Sequence, residues 1–215
     1  TSRIFLCALA DLSGPLTPVD KGIRLSSRTV LLLIENMVLF LLFMKAETEN
    51  VGEIELRSDV NLRMSVRNSL SEYETRENIV FNRSQTVEQC EGTREPPFHF
   101  SLRWEGSKKP SYIRALDDKE IATALKKKKK YKGGSPRKFT GDDSDVTWVP
   151  LCAFECRGME PYAFHPMTDE FIITSEHGYR FEEDIELEDG EWADYDADND
   201  CPVSIQDVKF KFEAP

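Results

Sequence analysis

Met37-Val-Leu-Phe-Leu-Leu-Phe-Met44, running into the alternating Lys45-Ala46-Glu47-Thr48-Glu49, is where the class of this fold is settled. With Thr29-Val-Leu-Leu-Leu-Ile34 just before it, the run invites a membrane-spanning reading, but Glu35 and Asn36 interrupt it. A span needs about twenty mostly apolar residues, and a charge near the bilayer centre costs a few kcal/mol. Each half is too short. The pattern instead predicts a strand buried on both faces that emerges into water at Lys45, and no transmembrane span.

Working outward, Val60 to Val66 places Val60, Leu62, Met64 and Val66 on one face against Asn61, Arg63 and Ser65, the period of a half-buried strand. Further strands are expected at Asn78–Asn82, Phe98–Trp104 after the Pro96-Pro97 break, Val146–Phe154, Glu170–Ser175, Tyr179–Phe181 and Val203–Phe212. Asp117 to Leu125 predicts one short helix, with acid at its start and five lysines, Tyr131, Lys132 and Gly133-Gly134 beyond its end. Residues 134–145 read as loop, which makes 117–145 a charged insertion. The expected class is mainly β: an elongated β-sandwich or barrel-like domain with a short helix in an insertion and an N-terminal extension.

The 215 residues carry 40% hydrophobic content, enough for one sizeable core or two small ones. A net charge of -11 argues against general nucleic-acid binding, which needs surplus Lys and Arg over the docking surface. The charge is uneven: Lys126, Lys127, Lys128, Lys129, Lys130, Lys132, Arg137 and Lys138 form a basic block, whereas 169–200 is acidic. Five cysteines, an odd number without framework spacing, suit a reducing compartment. Residues 1–30, with Arg3, Lys21, Arg24 and Arg28 and little acid, resemble the stretch behind a cleaved mitochondrial presequence.

Four segments carry a family resemblance. They are Met37 to Val51, the Phe81-Asn82-Arg83 step, Phe154-Glu155-Cys156-Arg157-Gly158-Met159-Glu160-Pro161, and Trp192-Ala193-Asp194-Tyr195-Asp196. Together they resemble the CXXC-motif-containing zinc-binding proteins over about Met37 to Phe212. On that match residues 1–36 are an added extension and 37–215 the family domain. The resemblance implies two Cys-x-x-Cys pairs holding one tetrahedral zinc. Counting back from Phe81-Asn82-Arg83 puts the first pair on Val66 and Ser69, and Phe98 to Gly106, which resembles the family's aromatic strand before the second pair, puts that pair on Trp104 and Ser107. None is a thiolate, and Cys90 and His99 are single candidates, so no metal and no cofactor is expected. Packing of Val66 and Trp104 takes the place of the metal.

A zinc-less relative of this kind is similar to a peripheral accessory subunit of protist mitochondrial ATP synthase. That likeness implies a non-catalytic structural subunit, peripheral to the inner membrane, whose partners are other subunits of a large complex. Lys126 to Lys132 is the candidate contact for anionic lipid or an acidic neighbour, the alternative being a solvated insertion. The alternative reading of the whole chain is a soluble cytoplasmic zinc-binding or adaptor protein with a rearranged site.

Two chemical readings compete with these. Cys152 and Cys156 with His165 could form a nucleophile and base, but a spacing of four is not the Cys-x-x-Cys redox pattern, and Cys156 reads as a buried small side chain. Asp194, Asp196, Asp198 and Asp200 alternate like the opening of a calcium loop, yet its sixth position is Asn199 and its twelfth Ile205. A structural turn is expected there, and no catalytic residue is assigned.

Overall fold

The computed structural model describes residues 37–88, 97–145 and 147–215. The expected extension 1–36, Cys90, Pro96 and Val146 lie outside the described residues. β1 (Val38–Glu49) pairs antiparallel with β13 (Cys201–Glu213) on one side and β8 (Val149–Arg157) on the other. β12 (Trp192–Asp196) extends this sheet beyond β13, and β6 (Ser111–Ala115) and β5 (Phe100–Leu102) extend it beyond β8, giving six strands that curl into a half-barrel.

A four-stranded sheet runs β11 (Arg180–Phe181), β10 (Phe171–Ser175), β2 (Val51–Leu56), β7 (Phe139–Thr140). A three-stranded sheet runs β4 (Ser71–Asn82), β3 (Asn61–Asn68), β9 (Met159–His165).

The continuous apolar run of β1 has a definite cause. Phe40, Leu42 and Met44 point into the main core, where Phe154 meets Phe81 and Phe212 edge-on at 6.1 and 6.2 Å. Leu39, Leu41 and Phe43 point the other way, into a second cluster with Leu116, Ile121 and Ala153. An antiparallel sheet commonly leaves one face to water. Here helix α1 (Asp118–Lys127) covers that face, so alternation disappears from the sequence of β1. The helix therefore contributes to the core through Ile121, with Ala124 and Leu125 packed beside it.

α1 starts in a capping box: the Glu120 N–H donates to the Asp117 carboxylate at 2.8 Å, and the Asp117 N–H to the Glu120 carboxylate at 3.2 Å. It stops without the expected glycine. Lys128 closes the last turn through its N–H to the Leu125 carbonyl at 2.9 Å, and lysines 128–130 leave the helix.

Three other expectations shift. The strand foreseen over Phe98–Trp104 shrinks to β5, with Phe98 instead stacked on Tyr112 at 5.1 Å. β4 begins at Ser71 rather than near Asn78, because Asn78 (φ 54) makes a bulge that breaks the alternation a reader would follow. Residues 134–145 are not all loop: Phe139 is buried in β7, paired with Ile54. Among the described residues no helix is long and apolar enough to cross a membrane.

Candidate functional site

Gly158 carries the chain from β8 in the large sheet to β9 in the three-stranded one. Its φ of +68 is a left-handed value, and a Cβ there would lie 2.3 Å from Ser111 Oγ, so the position admits only glycine. Its carbonyl receives the Trp104 indole N–H at 2.9 Å, the Ser111 hydroxyl at 3.1 Å and, at a long 3.5 Å, the Ser69 N–H. One step on, Arg67 binds Glu160 at 3.0 Å, and buried Val66 lies opposite Pro161. The signature Cys156-Arg157-Gly158-Met159-Glu160-Pro161 and three of the four positions assigned to metal ligands thus share one locality.

Ser107 completes the set by folding under Trp104: its N–H donates to the Trp104 carbonyl at 3.1 Å across a turn with Gly106 at φ +70. Arg76 sits over the indole at 5.4 Å and Arg157 over Tyr112 at 5.7 Å. This donor set does not fit zinc. Val66 offers no donor atom, the indole N–H cannot ligate, and the Ser107 hydroxyl is spent on the Lys109 carbonyl at 2.9 Å. Among the described residues, moreover, no cluster of three or more His, Cys, Asp and Glu could hold a metal ion. His99 accepts the Ala115 N–H on Nδ1 at 3.0 Å, and its pKa is lowered by burial and by Arg114 and Arg83.

The thiols are buried rather than reactive. Burial pushes Cys152 up to about 11 and raises Cys156 as well, so neither is a thiolate near neutrality. Cys156 lies in β8, whereas His165 ends β9, about 20 Å of extended chain beyond Met159. His165 is engaged elsewhere: its Nε2 pairs with Ser65 Oγ at 2.8 Å, and that hydroxyl also accepts the Asn78 N–H at 3.3 Å. The Ser65–His165 pair braces the β4 bulge. Sequence reasoning missed it, because the partners lie a hundred residues apart.

The second signature occupies the far edge of the large sheet. Trp192 meets Phe181 edge-on at 5.1 Å, while Asp194 and Tyr195 are exposed. Asp196 is fully buried and accepts from Ser175 Oγ at 2.7 Å and from Asn199 N at 3.1 Å. Burial alone would raise this carboxyl, but the hydrogen bonds from Ser175, Asn199 and Asp198 outweigh it and hold the pKa below the ordinary value. Asp196 caps the turn into β13 and ties it to β10.

Glu170 is buried, which its place in an acidic run of the sequence does not reveal. It is 1% exposed; one carboxylate oxygen takes the Met167 N–H at 3.0 Å, and the other has no partner among the described residues. Burial pushes its pKa up to about 7.

The basic block divides in two. Arg137 grips Asp143 with two bonds of 2.6 Å, which hold that carboxyl at about 2, and Lys138 binds Glu53 and Glu55 at 2.6 and 2.9 Å. Lys126, Lys127, Lys128, Lys129, Lys130 and Lys132 make no ion pair among the described residues, and all but half-buried Lys128 are exposed.

The family model for the eukaryotic CXXC motif containing zinc binding protein matches residues 41–213. UPF0587 protein CG4646 of Drosophila melanogaster is 36% identical over 74 residues, which are 34% of this chain and 44% of that protein. The Xenopus laevis and Homo sapiens proteins named CXXC motif containing zinc binding protein are 35% and 32% identical over 74 residues, covering 34% of this chain and 45% of each relative. The matched stretch spans less than half the length of these curated relatives. A hypothetical protein from Plasmodium falciparum has the same fold at TM-score 0.65 and 24% identity, over 81% of this chain and 99% of its own. The crystal structure of C1orf123 does so at TM-score 0.66 and 20% identity, over 82% and 99%. Likeness at these identities speaks for the fold alone.

Proposed function

The chain belongs to the eukaryotic family of CXXC motif containing zinc binding proteins, and from that premise we propose that it is a metal-free, non-catalytic scaffold, an accessory subunit of a larger assembly. The observation that carries the proposal is the Trp104 indole bonded to the Gly158 carbonyl at 2.9 Å, beside buried Val66. In the family the resemblance assigns this place to a zinc staple that joins two loops. Here an indole, two serines and a valine join the same parts without a metal. A fold that keeps its joint after changing the chemistry of that joint is kept for its shape and surface. The buried, protonated thiols and the bracing role of His165 support a non-catalytic reading further.

The assembly we propose is a mitochondrial membrane complex, with ATP synthase foremost, entered peripherally through contacts with other subunits. The acid-poor, arginine-bearing residues 1–30 and the likeness to a protist accessory subunit support that location. Exposed Leu70, Tyr73 and Val80, at or beside the edge strand β4, offer apolar contacts of the kind a neighbouring subunit covers.

Native purification from mitochondria tests it. Co-migration with a large membrane complex is the expected result, and recovery as a lone monomer would sink the subunit reading. Metal analysis separates it from a zinc-handling role: the protein is expected to hold less than a stoichiometric amount of zinc and to melt at the same temperature with and without chelator. One tightly held equivalent would overturn the metal-free reading.

A further inference from the structure

We propose that the end of α1 is an electrostatic docking face for an anionic bilayer surface. Six lysines, Lys126 to Lys130 and Lys132, gather within the last turn of the helix and the turn that follows. None is neutralised among the described residues, in a chain whose net charge is -11. Among the described residues, Glu120, Glu155 and Glu213 are engaged by other cations. Arg114 binds both Glu120 and Glu155, the latter at 3.1 Å, and Lys211 binds Glu213 at 2.7 Å.

The patch is also held in place. Leu116 and Ile121 root the helix in the cluster under β1, Tyr131 packs against the same cluster, and its hydroxyl donates to the Gly134 carbonyl at 3.0 Å. Six like charges on a rooted element repel one another, and their best available compensation at this end is the carbonyl end of the helix dipole. That compensation is worth at most a few tenths to one kcal/mol per charge at an exposed terminus.

The composition distinguishes a bilayer from a protein partner. Protein interfaces are centred on aromatic residues and arginine and are poor in lysine. This face has no arginine among its six cations, and none of the exposed large hydrophobics of the described residues lies between Leu116 and Gly134. Lys127 borders a hollow in which Glu120 and Glu155 are the carboxylates already held by Arg114. Lysine point charges on flexible stems, with no exposed large hydrophobic beside them among the described residues, match a diffuse layer of lipid headgroups, where each lysine is worth about 1 kcal/mol. Docking is peripheral, with no side chain inserted. The inference goes beyond the subunit reading, since the face needs no protein neighbour.

Co-sedimentation of the full chain with vesicles tests it, using phosphatidylcholine alone and phosphatidylcholine mixed with phosphatidylserine. The protein is expected to bind the mixed vesicles, to leave them as salt rises, and to ignore the neutral ones. The triple variant K126A/K129A/K130A is expected to keep the wild-type circular dichroism spectrum and lose about 100-fold in partitioning, at about 1 kcal/mol per lysine. Equal binding to neutral vesicles, or full binding by the variant, would overturn the proposal. So would retention on polyglutamate without vesicle binding, which assigns the face to an acidic protein. Displacement by inorganic phosphate at an ionic strength matched with chloride would assign it to a discrete phosphate site instead. Vesicle binding by a protein that purifies as a lone monomer sinks the subunit reading and leaves this one standing.

Discussion

The joint around Gly158 and the end of α1 are opposites. At Gly158 one carbonyl draws donors from Trp104, Ser111 and Ser69, so the polar groups brought in by the loops find partners inside the fold. At the end of α1 six charges find none among the described residues. The first region answers the demands of folding, where an unpaired buried polar group costs about 1–3 kcal/mol. The second is left with an unmet interaction in water, where exposure makes it nearly free of cost. A fully satisfied joint is evidence of structure, and an unsatisfied surface is where binding is to be sought.

The sharpest way to break this contrast is at Trp104. Trp104→Ala should cost about 3–5 kcal/mol in urea unfolding, through the cavity and the loss of one of the three donors on the Gly158 carbonyl. Trp104→Phe keeps most of the volume and leaves Ser111 on the carbonyl, so about 1 kcal/mol is expected. Equal losses in the two variants would show that the hydrogen bond, rather than packing, holds the joint.

Next in size is Ile121→Ala, at about 2–4 kcal/mol by thermal melting, because Ile121 roots α1 over Leu39, Leu41 and Phe43. A neutral result would return the helix to the status of a surface insertion and remove the rigidity from the lysine face.

Glu170 gives a smaller, pH-dependent effect. Its folded pKa of about 7 stands above the unfolded value, so the native state binds the extra proton in between. Stability is fully present below the unfolded pKa and falls as pH rises toward and through 7. Glu170→Gln should flatten that slope in melts taken from pH 5 to 8, and an unchanged slope would mean the carboxyl ionises without penalty.

The smallest expected effect is at the lysines: K126A/K129A/K130A should shift folding stability by no more than about 0.5 kcal/mol, since surface changes away from specific contacts rarely do more. A stabilised variant would show the like charges straining the native helix end. A destabilised one would mean that those side chains are partnered inside the fold and are not a free docking face.

Legibility in the sequence followed the range of the interactions. β1, β3, α1 and β13 were visible because their patterns are local: an apolar run, strict alternation, and acid at the start and base at the end of a helix. β4 was cut short by the bulge at Asn78, whose brace is Ser65 and His165, and β7 was hidden because two residues cannot display a period. The candidate site was legible only as gaps. Matching the Phe81-Asn82-Arg83 step located Val66 and Ser69, but the sharing of the Gly158 carbonyl by Trp104 and Ser111 depends on residues some fifty positions apart. The sequence groups Arg137 and Lys138 with the lysines in one basic block, and their neutralisation was hidden for the same reason, since Asp143, Glu53 and Glu55 reach them only through the fold.

What the sequence determined by itself was the β-rich class, the absence of a thiolate set at Val66, Ser69, Trp104 and Ser107, and the place of α1, because side-chain chemistry and short-range periodicity need no tertiary context. What only the tertiary structure decided was which polar groups are satisfied: the Trp104–Gly158 joint, and, among the described residues, the unpartnered oxygen of Glu170 and the six lysines without an ion pair. Satisfaction is a property of three-dimensional neighbours, and chain order alone does not contain them.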